Sequence, residues 1–175
     1  IMLKNRRIGL SQSGVIQAFN KHGRREMLEW CDKAYDYVQE IDKEFSDWLC
    51  VPRSKRTTSI KPSGTVSLLN GSTPGIHYPE AEYYIRRIRF SIGNSILRAI
   101  EEAGYHIEKD AYSPNTMVAS FPVHEPFFQK GKNEATMWEQ LEIAAAYQHY
   151  WADNSVSVTV TFKADEAKDI KTALE

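Results

Sequence analysis

From Arg24 to Leu49 the apolar positions Met27, Cys31, Ala34, Val38, Ile41, Phe45 and Trp48 recur at alternating steps of four and three. That spacing predicts one long helix with a single buried stripe, its other face carrying Glu29, Asp32, Lys33, Glu40 and Lys43. A shorter helix is predicted ahead of it, around Gln12 to Phe19, with Lys21-His22-Gly23 as its exit. Pro52 and the run Arg53-Ser54-Lys55-Arg56 break the long helix and lead into a β-branched stretch, Thr57 to Ile60. Asn70-Gly71 and Pro74-Gly75 are turn dipeptides, so a structured loop is expected from Asn70 to Glu80. Tyr83 to Phe90 reads as a strand, Asn94 to Ala103 as a helix ended by Gly104, and Met117 to Val123 as a buried strand. A helix from Glu134 to Trp151 is predicted to turn Met137, Leu141, Ala144, Ala145 and Gln148 inward. Val156, Val158, Val160 and Phe162 alternate with polar residues, as a strand requires, and Ala164 to Leu174 opens a final helix with Ala167, Ile170 and Leu174 inward. Helices and strands alternating without repeats or an obvious linker predict an α/β architecture in one structural unit.

Composition narrows the class. The chain has 175 residues, 42% hydrophobic and 26% charged, which suits a globular core and excludes a disordered or fibrous chain. Lys and Arg number 22 against 23 Asp and Glu, a net charge of −1 that leaves no single-sign field to hold nucleic acid or an anionic membrane. Two cysteines, Cys31 and Cys50, are too few for a secreted disulfide scaffold and point to a reducing compartment, the cytoplasm. No apolar run reaches the roughly 20 residues of a membrane span. The helical pattern still running at Leu174-Glu175 reads as a segment of something longer.

Chemistry concentrates in Lys61-Pro62-Ser63-Gly64-Thr65-Val66-Ser67. Pro62 fixes the entry angle, Gly64 lets a ligand approach the main chain, and Ser63 to Val66 offer successive backbone N–H groups. The hydroxyls of Ser63, Thr65 and Ser67 add hydrogen bonds suited to phosphate oxygens. The segment is either an anion cradle or a polar strand-to-helix turn, and Lys61 either adds charge or is a solvated flank. Arg86, Arg87 and Arg89 form a basic patch that either receives an anion or pairs with Glu80 and Glu82. His77 sits in the Gly-rich turn beside the cradle, where it either touches a ligand or stabilises the loop. The five histidines show no metal-ligand spacing with one another or with the cysteines. Nothing near Cys31 or Cys50 in sequence supplies an activating base, and no Ser-His-Asp arrangement or carboxylate pair emerges, so no catalytic residue is assigned.

Several stretches together resemble adenosylcobalamin-dependent (class II) ribonucleotide reductase, in its ribonucleoside-triphosphate branch. They are Asn5-Arg6-Arg7-Ile8-Gly9-Leu10-Ser11, Asp47-Trp48-Leu49-Cys50-Val51-Pro52, and Ser59-Ile60 running through the Lys61–Ser67 turn to Leu68-Leu69. Thr73-Pro74-Gly75-Ile76-His77, Tyr83-Tyr84-Ile85-Arg86-Arg87-Ile88-Arg89, Tyr112-Ser113-Pro114-Asn115-Thr116 and Tyr150-Trp151-Ala152-Asp153-Asn154-Ser155-Val156-Ser157-Val158-Thr159-Val160 complete the match, in order, over nearly the whole chain. The resemblance implies that residues 1–175 are the later part of a ten-stranded α/β barrel of the ribonucleotide reductase and glycyl-radical type. It implies a parent enzyme that makes deoxyribonucleotides for DNA replication by thiyl-radical chemistry, with adenosylcobalamin as cofactor and thioredoxin as reductant. It assigns substrate-phosphate binding to Ser63, Gly64, Thr65, Val66 and Ser67. The family's radical cysteine lies upstream of the matched region and its redox pair downstream, so Cys31 and Cys50 hold no catalytic position and the segment alone is expected to be inactive. Most of the cofactor site is expected outside the segment, and no cofactor-binding residue is assigned within it. An incomplete barrel would leave strand edges uncovered, which predicts self-association. The competing reading is a structural or self-associating module without a ligand.

Overall fold

In the computed structural model, which describes residues 2–64 and 66–175, helices and strands mix as an α/β chain, and the single unit expected from sequence divides into two. One unit comprises Ile1–Glu80 with Pro126–Glu175, the other Ala81–Glu125.

In the first unit a short helix α1 (Met2–Asn5) leads to β1 (Arg7–Leu10), which pairs in parallel with β2 (Arg56–Thr58). Arg7 stands opposite Arg56 and Leu10 opposite Thr58, with an irregularity between them. The chain between these strands forms α2 (Val15–His22) and α3 (Arg24–Trp48). Gly23, at φ 87°, separates the two helices, and its amide closes α2 onto the Phe19 carbonyl. The predicted stripe of α3 is present, but only its first half is covered. Cys31 is fully buried and Met27, Ala34 and Val38 pack on the core, whereas Phe45 and Trp48 are exposed. The core itself gathers Val15, Ile16, Cys31, Ile60, Ile76, Ile143, Tyr147, Trp151 and Ala152.

A capping box sets the start of α6 (Met137–Tyr150). The Thr136 hydroxyl accepts the Glu139 amide at 3.1 Å while the Glu139 carboxylate accepts the Thr136 amide at 2.8 Å. The buried face of this helix is Met137, Gln140, Ile143 and Tyr147. The apolar count had put Leu141, Ala144, Ala145 and Gln148 inward beside Met137, about one position round the helix. Two side chains explain the rotation. Tyr147 fills the centre of the core, and the Gln140 amide turns in to clamp Thr161, donating to its carbonyl at 2.8 Å and accepting its amide at 3.0 Å.

The stretch Ser155–Phe162 runs alongside but is not a regular strand among the described residues. A single parallel bridge joins Val156 to Ile60. The amides of Ser157, Thr159 and Thr161 donate in turn to the Ile60 carbonyl (2.9 Å), to His77 Nε2 (3.0 Å) and to Gln140 Oε1 (3.0 Å). Two side chains thus stand where a neighbouring backbone would supply acceptors. The last predicted helix begins as a 3₁₀ turn over Ala164–Asp169 and continues as α7 (Ile170–Leu174), with Leu174 exposed rather than inward. The short α4 (Val66–Leu69) completes this unit.

The second unit is an antiparallel sheet of β3 (Tyr83–Ser91), β4 (His106–Lys109) and β5 (Thr116–His124), with α5 (Ile96–Glu102) between β3 and β4 in sequence. The strand order is β3-β5-β4, and Ile100, Val118 and Ala119 are buried within the unit. Arg87 pairs with Glu108 and Arg89 with Asp110 at 3.4 Å. These are ion pairs, as the plainer sequence reading had it, but across the sheet. Glu80 pairs instead with Lys132 in the first unit, at 2.5 Å. No helix among the described residues is long and apolar enough to cross a membrane.

Asp153 fastens β2 in place. Its carboxylate accepts the amides of Thr57 (3.0 Å) and Thr58 (2.9 Å) and the hydroxyls of both (3.2 and 3.1 Å). Asn154 continues the clasp, its side-chain amide donating to the carbonyls of Ile8 (3.1 Å) and Thr58 (2.8 Å). Burial alone would raise the Asp153 carboxyl, but the hydrogen bonds from Thr58 and Thr57 together outweigh it and hold the group below the ordinary carboxylate range. Asp153→Asn should therefore cost on the order of 2–3 kcal/mol at neutral pH, since it sets an NH₂ against backbone donors. A depressed folded value means that the carboxylate's contribution is complete above the ordinary value near about 4 and lost as pH falls through the folded value. Denaturant melts of both proteins across pH should show their stabilities converging in acid.

Candidate functional site

The two parallel strands point their carboxyl ends the same way, and the loop that follows each meets the other there. This is the end of an open α/β sheet at which ligands are generally held. After β1 comes Ser11-Gln12-Ser13-Gly14, and after β2, past Ile60, comes the Lys61–Ser67 turn. The Lys61 amide donates to Ser11 Oγ at 3.0 Å, and the hydroxyls of Ser13 and Ser63 share a 2.5 Å hydrogen bond. Between these two contacts Gln12 reaches the other way, into the core. Its Oε1 accepts the Tyr147 hydroxyl at 3.2 Å and lies 3.6 Å from Cys31 Sγ.

A third segment, the turn Thr73–His77, closes the group. Gly14 donates its amide to the Thr73 carbonyl at 2.8 Å, and Gln17 accepts the Thr73 amide at 3.2 Å while donating to the Gly71 carbonyl at 3.0 Å. Gly75, at φ 53°, lies so close to the base of the Lys61–Ser67 turn that a Cβ there would stand 2.8 Å from the Lys61 carbonyl oxygen.

Of the residues marked by sequence, Ser63 is half-buried, Gly64 and Val66 are exposed, and Thr65 lies outside the described residues. A Cβ on Gly64 would meet nothing within 4 Å, so open space stands over the main chain at the turn's apex. The Gly64 amide donates to the Pro62 carbonyl at 2.8 Å, which tightens the turn. Ser67, expected at the phosphates with the other marked residues, lies beneath the turn. It is buried, and both its hydroxyl (2.5 Å) and its amide (3.1 Å) donate to the Ser63 carbonyl, so it braces the turn from within. A polar cleft of about 620 Å³ reaches Lys61 and is lined by Arg7, Arg56, Ser59, Asp153 and Asn154 as well, with three cationic side chains among them.

The two cysteines differ in setting. Burial pushes the Cys31 thiol up, against its hydrogen bonds with Tyr147 and Gln12, which pull it down, and burial beside Cys31 pushes the Tyr147 hydroxyl far above its ordinary range. Cys50 is exposed just past α3. No group of three or more His, Cys, Asp or Glu side chains among the described residues could hold a metal ion.

No protein-family model matches the chain. Curated relatives do, along its whole length. A probable adenosylcobalamin-dependent ribonucleoside-triphosphate reductase of Dictyostelium discoideum is 45% identical over 100% of this chain, and the Euglena gracilis adenosylcobalamin-dependent enzyme of that name is 46% identical over 93%. The corresponding enzyme of Lacticaseibacillus paracasei is 38% identical over 97%. A crystal structure of a B12-dependent (class II) ribonucleotide reductase superposes over 99% of the chain with a TM-score of 0.88 at 30% identity. The chain is homologous to a segment of class II ribonucleotide reductase. It spans about a quarter of the length of these relatives, 22–27% of the three proteins and 28% of the solved chain.

Ser11, Gln12, Ser13 and Gln17 belong to this reductase-like segment's loop junction, and sequence reasoning does not mark them, because the contacts that join the loops span about fifty residues or more of chain. Gly75→Ala should cost about 1–3 kcal/mol, as a left-handed backbone position pressed against a carbonyl. Gly64→Ala, in open space, should leave the melting temperature nearly unchanged. Thermal unfolding of the two variants reads this contrast directly.

Proposed function

We propose that this chain is the later portion of the catalytic barrel of an adenosylcobalamin-dependent ribonucleoside-triphosphate reductase. In that enzyme it would contribute the loop that holds the substrate's phosphates. The end-to-end match to such reductases carries the reading, and the geometry of the Lys61–Ser67 turn supports the phosphate role. The turn sits at the carboxyl ends of two parallel strands, its apex is open over Gly64, and a cleft with Arg7, Arg56 and Lys61 adjoins it. Main-chain amides at Ser63, Thr65 and Val66 and the Ser63 hydroxyl would take the phosphate oxygens, Gly64, with its own amide turned to Pro62, would leave room for them, and Ser67 would keep the turn's shape from behind. Fixing the anionic tail holds the ribose in register with a radical cysteine supplied from outside this chain, which lowers the entropic part of the barrier.

The remaining parts of the proposal belong to the parent enzyme: a ten-stranded barrel, deoxyribonucleotide production for DNA replication in the cytoplasm, and thioredoxin as electron donor. Adenosylcobalamin would supply the radical when bound. The residues of this chain do not by themselves fit it, since the clefts described along the first unit hold only about 620, 670 and 370 Å³ and are too small to enclose so large a group. Ile8, Leu10, Phe45, Trp48, Leu49 and Val51 are exposed apolar side chains, and they support self-association of the chain when it is produced alone.

The test is kinetic. In the parent reductase, Ser63→Ala combined with Gly64→Ala should raise KM for the nucleoside triphosphate by about tenfold or more, the loss of one or two hydrogen bonds to a charged group. The melting temperature should stay close to that of the unmodified enzyme. A KM equal to that of the unmodified enzyme would remove the phosphate role.

A further inference from the structure

The two ring nitrogens of His77 have partners that fix what each must be. Nδ1 lies 2.8 Å from the Pro74 carbonyl oxygen, and Nε2 lies 3.0 Å from the Thr159 amide nitrogen. A carbonyl can only accept, so Nδ1 carries the hydrogen; a backbone N–H can only donate, so Nε2 presents its lone pair. The ring is therefore neutral and held in one tautomer.

The two ends of this bridge are far apart in sequence. One is the Thr73–His77 turn, whose Pro74 carbonyl also accepts the His77 amide at 2.9 Å, and whose Gly75 presses against the Lys61 carbonyl at the foot of the Ser63 turn. The other is Thr159, in the middle of the extended Ser155–Phe162 stretch. Of the three amides that stretch offers along this edge, only that of Ser157 finds a backbone acceptor.

We infer that His77 is a positioning residue: its Nδ1–H imidazole clasps the turn behind the Ser63 loop to the Ser155–Phe162 stretch and so sets where that loop stands. The contact train runs from Thr159 through His77 to Pro74 and Gly75, then to Lys61 and Ser63. The clasp is geometric and stands alone, while its consequence for substrate rests on the phosphate-binding reading above.

Histidine-selective ¹⁵N NMR of the full chain tests the clasp first. It should show Nδ1 protonated and Nε2 bare in His77; a hydrogen on Nε2 would overturn the inference. His77→Gln keeps an acceptor within reach of Thr159, and His77→Ala does not. Amide exchange at Thr159 should quicken about tenfold or more in His77→Ala, the loss of one hydrogen bond, and return toward the original rate in His77→Gln. Unaltered exchange in His77→Ala would overturn the clasp, and should that variant fail to fold, the tautomer of the unmodified chain and exchange in His77→Gln decide. In the parent reductase, KM for the triphosphate should rise in His77→Ala and recover in His77→Gln with kcat little altered. If Ser63→Ala raises KM and His77→Ala does not, the positioning role is gone. If Ser63→Ala itself has no effect, the phosphate reading fails while the tautomer and exchange results still judge the clasp.

Discussion

A strand that ends a sheet must find acceptors and donors for its free edge, and in this chain Asp153 meets that need for β2. One carboxylate takes two consecutive amides and two hydroxyls from Thr57 and Thr58, and the neighbouring Asn154 amide ties the carbonyls of Ile8 and Thr58 together. Removing either amide partner would leave a polar group with nowhere to turn, a cost comparable to the net value of several ordinary hydrogen bonds. Because Thr57 and Thr58 are fixed, Ser59 and Ile60 leave β2 in a set direction. The Ser59 amide bonds the Leu10 carbonyl at 2.9 Å, and Ile60 enters the core fully buried. The Lys61–Ser67 turn inherits its position from that exit.

The same logic explains why the loop after β1 is polar at Ser11 and Ser13 yet anchored by Gln12. Alternate residues of a short extended segment face opposite sides. Gln12 points to the buried Tyr147 and Cys31, which need a partner in a low-dielectric core, and its two neighbours are left to face the turn after β2. The raised thiol and hydroxyl of that buried pair are the electrostatic counterpart of this arrangement: neutral, hydrogen-bonded groups that fix a loop.

What was legible in the sequence was what depends on neighbours in sequence. The 25 residues of α3 announced themselves through a long apolar period, and the Pro62–Ser67 turn through its residue types. β1 did not, because Arg7-Ile8-Gly9-Leu10 is four exposed residues with no alternation to read, and β4 is equally short. The face of α6 was misjudged by a position because apolar counting undervalues Gln140 and Tyr147, whose inward places are set by Thr161 and by Gln12. Ser155–Phe162 carries a true strand pattern, yet its acceptors are two side chains, which no alternation reveals. At the site, the turn residues were readable and their bracing was not: that Ser67 points inward and that Ser13 meets Ser63 are facts of pairing across the chain.

A turn built from small residues is a better holder of a polyanion's tail than its lack of charge suggests. Lysine or arginine side chains must surrender rotamer freedom to grip phosphate, whereas amides in a turn are ordered once, on folding. The requirement is that the turn be rigid before the ligand arrives, and rigidity has to come from behind, since the front must stay open. Here the back is filled by short contacts of distinct kinds: the Ser67 hydroxyl on the Ser63 carbonyl, Gly75 against the Lys61 carbonyl, and Ser11 on the Lys61 amide. The front, over Gly64, has nothing within reach of a Cβ. Charge, in Arg7, Arg56 and Lys61, stands off in the adjoining cleft, where it can attract an anion without competing for the geometry of the turn. That division of labour, attraction at a distance and fit at the main chain, is what the proposed phosphate role asks of these residues.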